Sequence, residues 1–410
     1  MRVKRNVFPC GACILLCGMV FALATCSGPK KATVAGAVPA TPDGVGQTLP
    51  AWSRGELDSH AVATLRGECW FYILPDGATL CVDCGELPEK QDGSVSHDPY
   101  SDRDIIRKLV PRPGDASKAH EVAAAYMRRF LPAASADSLD YMLLTHHHND
   151  HMNGIPGLYD LMPFRVLLDR TDTSNIAKDA QKNKNVALYW NFIRSKAVYP
   201  HPFELGVSRQ VFPRHGKPDW TLLGLSSSGK VMTEEGLVDA YEGEKLSENG
   251  ASISFLLSYG KFDWLASGDA GDPNSKVLWP VAQTVGRKIE AMKVPHHYAW
   301  RTFSARLIEL LQPQVMISES FWSHQPWKAE MEYLWNARYD AGRPKDLFLT
   351  SPYTVPDGTD NALGPEDLSR LAGYGGNVVL RVAPGGKSFR TYVLDGDGRI
   401  LSAHGPYVCH

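Results

Sequence analysis

Residues 145–154 read Thr-His-His-His-Asn-Asp-His-Met-Asn-Gly and directly follow a short apolar run at 141–144. Four histidines and one aspartate therefore occupy six consecutive positions, 146–151. Imidazole nitrogen is a common ligand of zinc and related ions, and carboxylate oxygen binds the same ions or harder ones. If the apolar run is a buried strand, the residues after it form a loop at the strand end, and the sequence predicts a metal site there.

The spacing of these residues predicts two neighbouring half-sites. His146 and His148 lie two residues apart, so in a near-extended backbone their side chains point to one side. Asp150 and His151 come at the start of the following turn and point to a second position nearby. The alternative is a polar loop that merely contains histidines, which this spacing behind an apolar strand disfavours.

The stretch resembles the T-H-x-H-x-D-H-x-x-G signature of the metallo-β-lactamase superfamily of binuclear metallohydrolases. The resemblance implies an α/β fold, the αββα sandwich of two mixed sheets flanked by helices. It also implies two metal ions, most simply zinc, with His146, His148, Asp150 and His151 among the ligands.

Two later blocks supply further candidate ligands. Two apolar strands in 253–266 meet at a glycine turn and end before Gly268-Asp269, where the Asp269 carboxylate is able to face two cations at once. A third apolar strand ends in Val294-Pro295-His296-His297, and one of these histidines should complete the second metal. We favour His297, with His296 as the alternative.

The three blocks in order resemble the branch that contains the metallo-β-lactamase-like domain of the bacterial DNA-internalisation channel proteins and its stand-alone relatives. That branch continues K-V-x-H-H with Gly-Ser, whereas Tyr298-Ala299 follows here. It also carries a later histidine before a proline, and His324 is the nearest match. The resemblance makes His324 a candidate for contacting a substrate phosphate or transferring a proton; a surface loop histidine is the alternative.

The first metal would have fewer ligands than the second. Many binuclear members have another histidine before the bridging aspartate, but His201 and His215, which lie in that interval, do not follow convincing strands. The branch likewise lacks this histidine and has asparagine and serine where Asn249 and Ser252 stand. His146, His148 and Asp269 would then hold the first metal alone, and manganese is the alternative to zinc there.

The resemblance implies a metal-dependent hydrolase in which a metal-activated hydroxide attacks phosphorus or a carbonyl carbon, oriented by Asp150 and Asp269. The branch favours phosphodiester bonds in a small molecule or another phosphodiester-containing substrate. A lactonase or carboxyl-ester hydrolase is the competing enzyme. A degenerate, non-catalytic binding module of the envelope is the alternative from another class, and the missing histidine and Tyr298-Ala299 favour it.

The N-terminal residues predict export. Residues 1–26 combine a basic start with a short apolar core and end in Leu23-Ala24-Thr25-Cys26, which resembles a bacterial lipoprotein signal. Lipid anchoring to the envelope membrane through Cys26 is the expectation, and a secreted or periplasmic protein is the alternative. Residues 27–51 are rich in Gly, Pro, Ala and Thr and predict a flexible tether, which leaves 52–410 as the catalytic domain. The net charge of −2 gives no specific signal for nucleic acid.

A hairpin around Asp76-Gly77 is expected to pair residues 69–74 with 79–84. This would place Cys69 opposite Cys84, so a disulfide is one hypothesis and buried free thiols are the other. Asp83 is expected to cap the turn after its strand, with metal ligation as the alternative.

The remaining elements are predicted from hydrophobic periodicity. Residues 158–247 are interpreted as an insertion that shapes the pocket. Residues 343–355 are predicted as a strand and 377–394 as a hairpin, which together close the second sheet. The predicted helices are 117–131 and 177–196, and the other predicted strands are 140–145, 164–168, 207–212 and 219–225.

Overall fold

The computed structural model describes residues 44–87, 106–107, 118–135, 137–216, 218–271, 276–299, 302, 304–321, 325–354 and 363–410. The predicted signal at 1–26, most of the predicted tether and His324 lie outside these residues. Among the residues described, no helix combines the length and the apolar character that a membrane span needs.

The described strands follow one another along the chain as listed here. They are β1 (Leu57–Ala61), β2 (Trp70–Ile73), β3 (Thr79–Val82), β4 (Ile106–Arg107), β5 (Leu139–Leu144), β6 (Phe164–Asp169), β7 (His201–Pro202), β8 (Trp220–Ser227), β9 (Lys230–Thr233), β10 (Gly236–Asp239), β11 (Ser254–Tyr259), β12 (Phe262–Ala266), β13 (Ala291–Lys293), β14 (Val315–Ser318), β15 (Asp346–Leu349), β16 (Tyr353–Thr354), β17 (Gly373–Tyr374), β18 (Asn377–Val382), β19 (Ser388–Leu394) and β20 (Ile400–Val408).

The described helices are distributed among these strands. They are α1 (Ala119–Phe130), α2 (Asn149–Met152), α3 (Ile155–Leu161), α4 (Thr173–Asp179), α5 (Lys184–Lys196), α6 (Leu278–Val285), α7 (Ala305–Leu311), α8 (Lys328–Asn336) and α9 (Pro365–Ser369), with short 3-10 helices at Ala133–Ser135, Asn249–Ala251 and Pro295–Tyr298.

Two nine-stranded sheets form the centre of the fold. The first has the order β20-β19-β18-β1-β2-β3-β5-β6-β7 and the second β10-β9-β8-β11-β12-β13-β14-β15-β17. Each sheet is antiparallel at one side and parallel at the other: β3, β5, β6 and β7 run parallel in the first, and β12 to β17 run parallel in the second. Both sheets are therefore mixed, as predicted.

Both faces of each sheet are covered by buried apolar side chains. One core cluster joins the inner faces and includes Trp70, Tyr72, Phe255 and Trp264. A second lies between the first sheet and helices α1, α3, α4 and α5, and a third lies between the second sheet and α6, α7 and α8. The layers are helix, sheet, sheet and helix, so the αββα prediction is confirmed.

Several boundaries differ from the prediction. Residues 44–51 were expected in the tether, but Leu49 is buried, its N–H donates to Gly398, and Ile400 donates to Gln47. Residues 158–247 contribute β6 and β7 to the first sheet and β8 to β10 to the second, so they are not a separate insertion. Residues 207–212 do not form a strand.

The C-terminal strands β18 to β20 belong to the first sheet, whereas the sequence predicted the second for residues 377–394. Strand β18 pairs with β1, so the hairpin at 377–394 extends the first sheet, and its prediction for the second sheet is wrong. The strand β15 does lie in the second sheet. The N-terminal hairpin forms around Asp76-Gly77, with Trp70 opposite Val82.

Candidate metal centre

The candidate site lies at the carboxyl ends of parallel strands from both sheets. In the first sheet, Asp83 follows β3 and the stretch from His146 to His151 follows β5. In the second, Asp269 follows β12 and His297 follows β13. Open α/β sheets present their loops at these ends, so packing the two sheets face to face brings three distant segments to one place.

Four carboxylate and imidazole groups meet closely at this point. The Nε2 atom of His151 lies 3.0 Å from Oδ2 of Asp269 and 3.2 Å from Nε2 of His297. The His297 Nε2 atom lies 3.3 Å from the same Asp269 oxygen and 3.5 Å from Oδ2 of Asp150. The structure therefore brings together four of the residues that the sequence nominates.

The other two nominated histidines lie beside this group. The Nε2 atom of His146 is 3.0 Å from Nδ1 of His148 and 3.9 Å from Oδ2 of Asp269. His146, His151 and His297 therefore all approach the same oxygen of Asp269.

The orientation of two imidazoles fits a metal ion. The Nδ1 atom of His151 lies 2.7 Å from Oδ2 of Asp83, and the Nδ1 atom of His297 lies 3.2 Å from the Glu319 carbonyl oxygen. When each Nδ1 donates to its oxygen, both Nε2 lone pairs point into the same small space. Two lone pairs 3.2 Å apart repel unless a cation or proton lies between them, so this donor set fits a divalent ion such as zinc.

The electrostatics of the metal-free site favour the same conclusion. Burial lowers the pKa of His297, but the Asp269 and Asp150 carboxylates outweigh burial and raise this pKa to about 9. Burial raises the pKa of Asp150, and His151 and His297 more than reverse this and lower it to about 2. The carboxylates thus attract positive charge, which protons on the histidines supply when no cation is bound.

Two histidines next to the nominated ligands, the alternative ligand His296 and His147, make other contacts. The His296 Nε2 atom lies 3.2 Å from the Asn249 amide nitrogen, so His297, which contacts Asp269, is the better placed of the pair. The His147 Nε2 atom lies 3.2 Å from both oxygens of Asp169, within the first sheet. His201 and His215, the weak candidates for an extra ligand, are both exposed.

Asp83 has a role that differs from the predicted turn cap. Its Oδ1 accepts the backbone N–H of Thr145 at 2.7 Å, and its Oδ2 accepts the Thr145 hydroxyl at 2.7 Å and contacts His151. Asp83 therefore fixes the loop after β5 and orients one imidazole.

The proposed disulfide is absent from the described cysteines. The register places Trp70 opposite Val82, so Cys69 does not face Cys84, and Cys69, Cys81 and Cys84 are free and buried. The Sγ atoms of Cys69 and Cys81 are 3.9 Å apart, well beyond a bond.

Sequence patterns did not indicate three buried charged residues behind the centre. A carboxylate oxygen of Glu68 lies close enough to His151, Asp269 and His297 to share a metal ion with them. Lys293 forms an ion pair with Glu68, and Glu319 lies next to the backbone of Cys69. Glu68 lies shortly before β2, and Lys293 lies shortly before the His296-His297 pair. No sequence pattern indicates that the two residues contact each other.

Comparison with known proteins gives weak similarities. No protein-family model and no curated protein matches the chain. Among solved structures, a mutant of the CmlA β-hydroxylase has a TM-score of 0.38 and 13% identity over 74% of this chain and 54% of that one. The chain thus spans about half the length of that protein (54%).

Two other solved structures are similar over more of their own length. The metallo-β-lactamase fold protein YhfI from Bacillus subtilis has a TM-score of 0.34 and 11% identity over 64% of this chain and 85% of that one. A diphosphatase of the PhnP family has a TM-score of 0.34 and 11% identity over 75% of this chain and 99% of that one. Similarities of this strength establish no activity for this chain.

The two-sheet sandwich carries at its strand ends a group of histidines and carboxylates that could hold a metal ion.

Proposed function

We propose that the protein is a metal-dependent hydrolase of the metallo-β-lactamase superfamily that acts on phosphodiester bonds. The observation that carries the proposal is the meeting of His151, His297 and Asp269 within 3.3 Å at the strand ends of two sheets. The nearby His146/His148 pair supports a binuclear centre, which we propose to hold two zinc ions, with manganese as the alternative at the His146/His148 position.

In this proposal some residues of the centre bind the metal ions, and Asp150 orients a water molecule. His146, His148, His151 and His297 would supply imidazole ligands, and Asp269 would bridge. Divalent cations at such a centre supply Lewis-acid catalysis and a lowered pKa for bound water. Asp150, also a nominated ligand, contacts His297 and has a side chain that is 22% exposed, which supports a role in orienting a water molecule that enters from solvent.

The preference for phosphodiesters rests on the resemblance of the block that ends in His296-His297 to the DNA-internalisation branch. A lactonase would use the same ligands, because a carbonyl carbon and a phosphorus centre need the same polarisation. A non-catalytic binding module stays an alternative because the histidine beside the His146 ring, His151 at 4.2 Å between ring centroids, also contacts Asp269 and His297 and is assigned to the other ion.

The proposal is tested on metal-depleted protein reconstituted with zinc or manganese. We expect hydrolysis of bis-p-nitrophenyl phosphate and little hydrolysis of a homoserine lactone. Asp269→Asn should abolish the activity, because an amide bridges two cations poorly. His215→Ala, which changes an exposed histidine, is the matched control and should retain it.

The competing functions give different results in the same experiment. Faster cleavage of the lactone would indicate a carboxyl hydrolase. Less than one ion per chain after reconstitution, without cleavage of either substrate, would indicate a binding module.

We also propose that the protein is exported and anchored through a lipid on Cys26. The basic and apolar pattern of residues 1–26 supports this. Metabolic labelling with palmitate should mark the wild-type protein and fail with Cys26→Ser. Export without labelling would indicate a secreted or periplasmic protein.

A further inference from the structure

The inference concerns the buried pair Glu68 and Lys293, which lies behind the candidate metal centre. Glu68 lies two residues before β2 of the first sheet, and Lys293 ends β13 of the second. Their side chains are 0% and 3% exposed, and the Lys293 Nζ atom lies 2.8 Å from Oε2 of Glu68. The pair therefore links the two sheets through opposite charges that are both shielded from water.

Stability alone is a poor explanation for such a pair. Removing two charges from water is costly, and well-packed neutral residues often stabilise a core as well or better. The contacts that the pair makes with the centre suggest a different role.

Lys293 is shared between two carboxylates. Its Nζ atom lies 2.8 Å from Glu68 and 3.8 Å from Oδ1 of Asp269, and it donates to the Gly268 carbonyl oxygen at 2.6 Å. Lysine is an ammonium ion at neutral pH, and the two carboxylates beside Nζ favour this charged form. An ammonium ion closer to Asp269 would compete with a metal ion for that carboxylate.

Glu68 does not act mainly by fixing the tautomer of His297. Its Oε2 atom is 3.3 Å from Nδ1 of His297, but the carbonyl oxygen of Glu319 lies 3.2 Å from the same nitrogen. The backbone carbonyl can therefore keep the Nδ1 proton in place without Glu68. Besides its place near the donor atoms of His151, Asp269 and His297, Glu68 provides the closer of the two negative charges beside Lys293.

We propose that Glu68 is a positioning residue that holds the Lys293 ammonium group away from Asp269 and so keeps Asp269 available to a metal ion. This inference rests on the proposed metal-dependent function. It predicts that loss of the Glu68 charge lets Lys293 move onto Asp269, and that removal of both charges relieves the competition.

The test compares zinc affinity, measured by chelator competition, in the wild-type full chain and in two variants. Glu68→Gln keeps the size of the side chain and removes its charge, and we expect it to weaken zinc binding by about 10–100-fold, as for other residues that support metal ligands. Glu68→Gln combined with Lys293→Met should return to within about 3-fold of wild type, because no ammonium ion is left to compete. The visible absorption of bound cobalt(II) should follow the same order.

A matched control separates this role from a structural one. Asp58 and Arg381 form another buried ion pair, at 2.6 Å, between β1 and β18. Asp58→Asn should lower the melting temperature without changing the zinc affinity. If Glu68→Gln behaves like Asp58→Asn, the pair is merely structural and the inference is overturned.

The remaining outcomes are also decisive. If Glu68→Gln does not fold, the double variant still tests the inference, because a folded double variant with weak zinc binding would overturn it. If wild-type protein binds no zinc or manganese, the proposed function fails together with the inference. If wild type binds metal and Glu68→Gln binds it equally well, only the inference fails.

Discussion

The Nδ1 atom of His151 lies 2.7 Å from Oδ2 of Asp83, in a contact that joins the ends of neighbouring strands β3 and β5. The other Asp83 oxygen accepts the Thr145 N–H, at the first residue after β5. One buried carboxylate therefore fixes both the start of the histidine loop and the orientation of an imidazole within it. Partners of this kind raise the basicity of a ligating histidine and hold its ring.

Asp83→Asn is expected to weaken zinc binding by about 10–100-fold, because the amide carries no charge and one of its two sites is a donor. Chelator competition measures the effect. Asp140→Asn is the control, since Asp140 is also buried but pairs with Arg214 at 2.6 Å. Equal losses of affinity in both variants would show that the effect is a general loss of stability.

The three adjacent histidines should differ in their effect on metal content. His148 contacts His146, whereas His147 contacts Asp169. We therefore expect His148→Ala to lose up to one metal equivalent per chain, and His147→Gln to retain the wild-type content while lowering the melting temperature. Elemental analysis after reconstitution measures both. Loss of metal from His147→Gln alone would contradict the assignment.

Much of this centre is predictable from the sequence because its ligands come in short, dense patterns. His146, His148, Asp150 and His151 occupy one loop, and Asp269 and His297 each follow an apolar strand. A strand end fixes where a side chain emerges, so the pattern indicates both the residue and its place.

The supporting residues are not predictable in this way. Lys293 contacts Glu68 only because the two sheets pack face to face. The two residues are far apart in the sequence, and no repeating pattern relates them. Strand β18 pairs with β1, which lies more than 300 residues earlier in the chain. The alternation of apolar and polar residues in β18 predicts a strand but does not indicate which sheet it joins. The disulfide hypothesis for Cys69 and Cys84 failed because the hairpin register differs from the expected one.

The metal-free protein should lose stability as the pH rises from 6.5 to about 9. The pKa of His297 is raised from 6.5 to about 9 in the folded protein. Its contribution to the free energy of unfolding is therefore fully present below pH 6.5 and is lost as the pH rises through about 9. Urea unfolding with a chelator present measures this trend, and a flat profile across the window would contradict it.

Zinc affinity should change in the opposite direction over the same range. Binding of a metal to His297 requires loss of its proton, so the affinity should rise with pH up to about 9 and not level off near 6.5. Calorimetry in buffers of different ionisation enthalpy should detect proton release on binding at pH 7. Binding without proton release would place the metal elsewhere.

Gly85 packs closely against the backbone of Asp150, in the segment 145–151 that carries the histidines. A Cβ atom at Gly85 would lie 1.8 Å from the Asp150 carbonyl oxygen, and no side-chain rotation can relieve this clash because the oxygen belongs to the backbone. Gly85→Ala must therefore displace the loop that carries Asp150 and His151. We expect a loss of roughly 1–3 kcal/mol in the free energy of unfolding, together with loss of metal.

Gly385→Ala separates the displacement of the loop from a general loss of stability. Gly385 has a φ of +81° and no atom within 4 Å of an added Cβ, so alanine there costs about 1–2 kcal/mol through backbone conformation alone. Gly385→Ala should lower the melting temperature and retain the metal, whereas Gly85→Ala should lose the metal even at temperatures where it is fully folded. Metal content of the two variants, measured where circular dichroism shows both to be native, decides the matter. Retention of metal by folded Gly85→Ala would show that the position of Asp150 and His151 tolerates the shift.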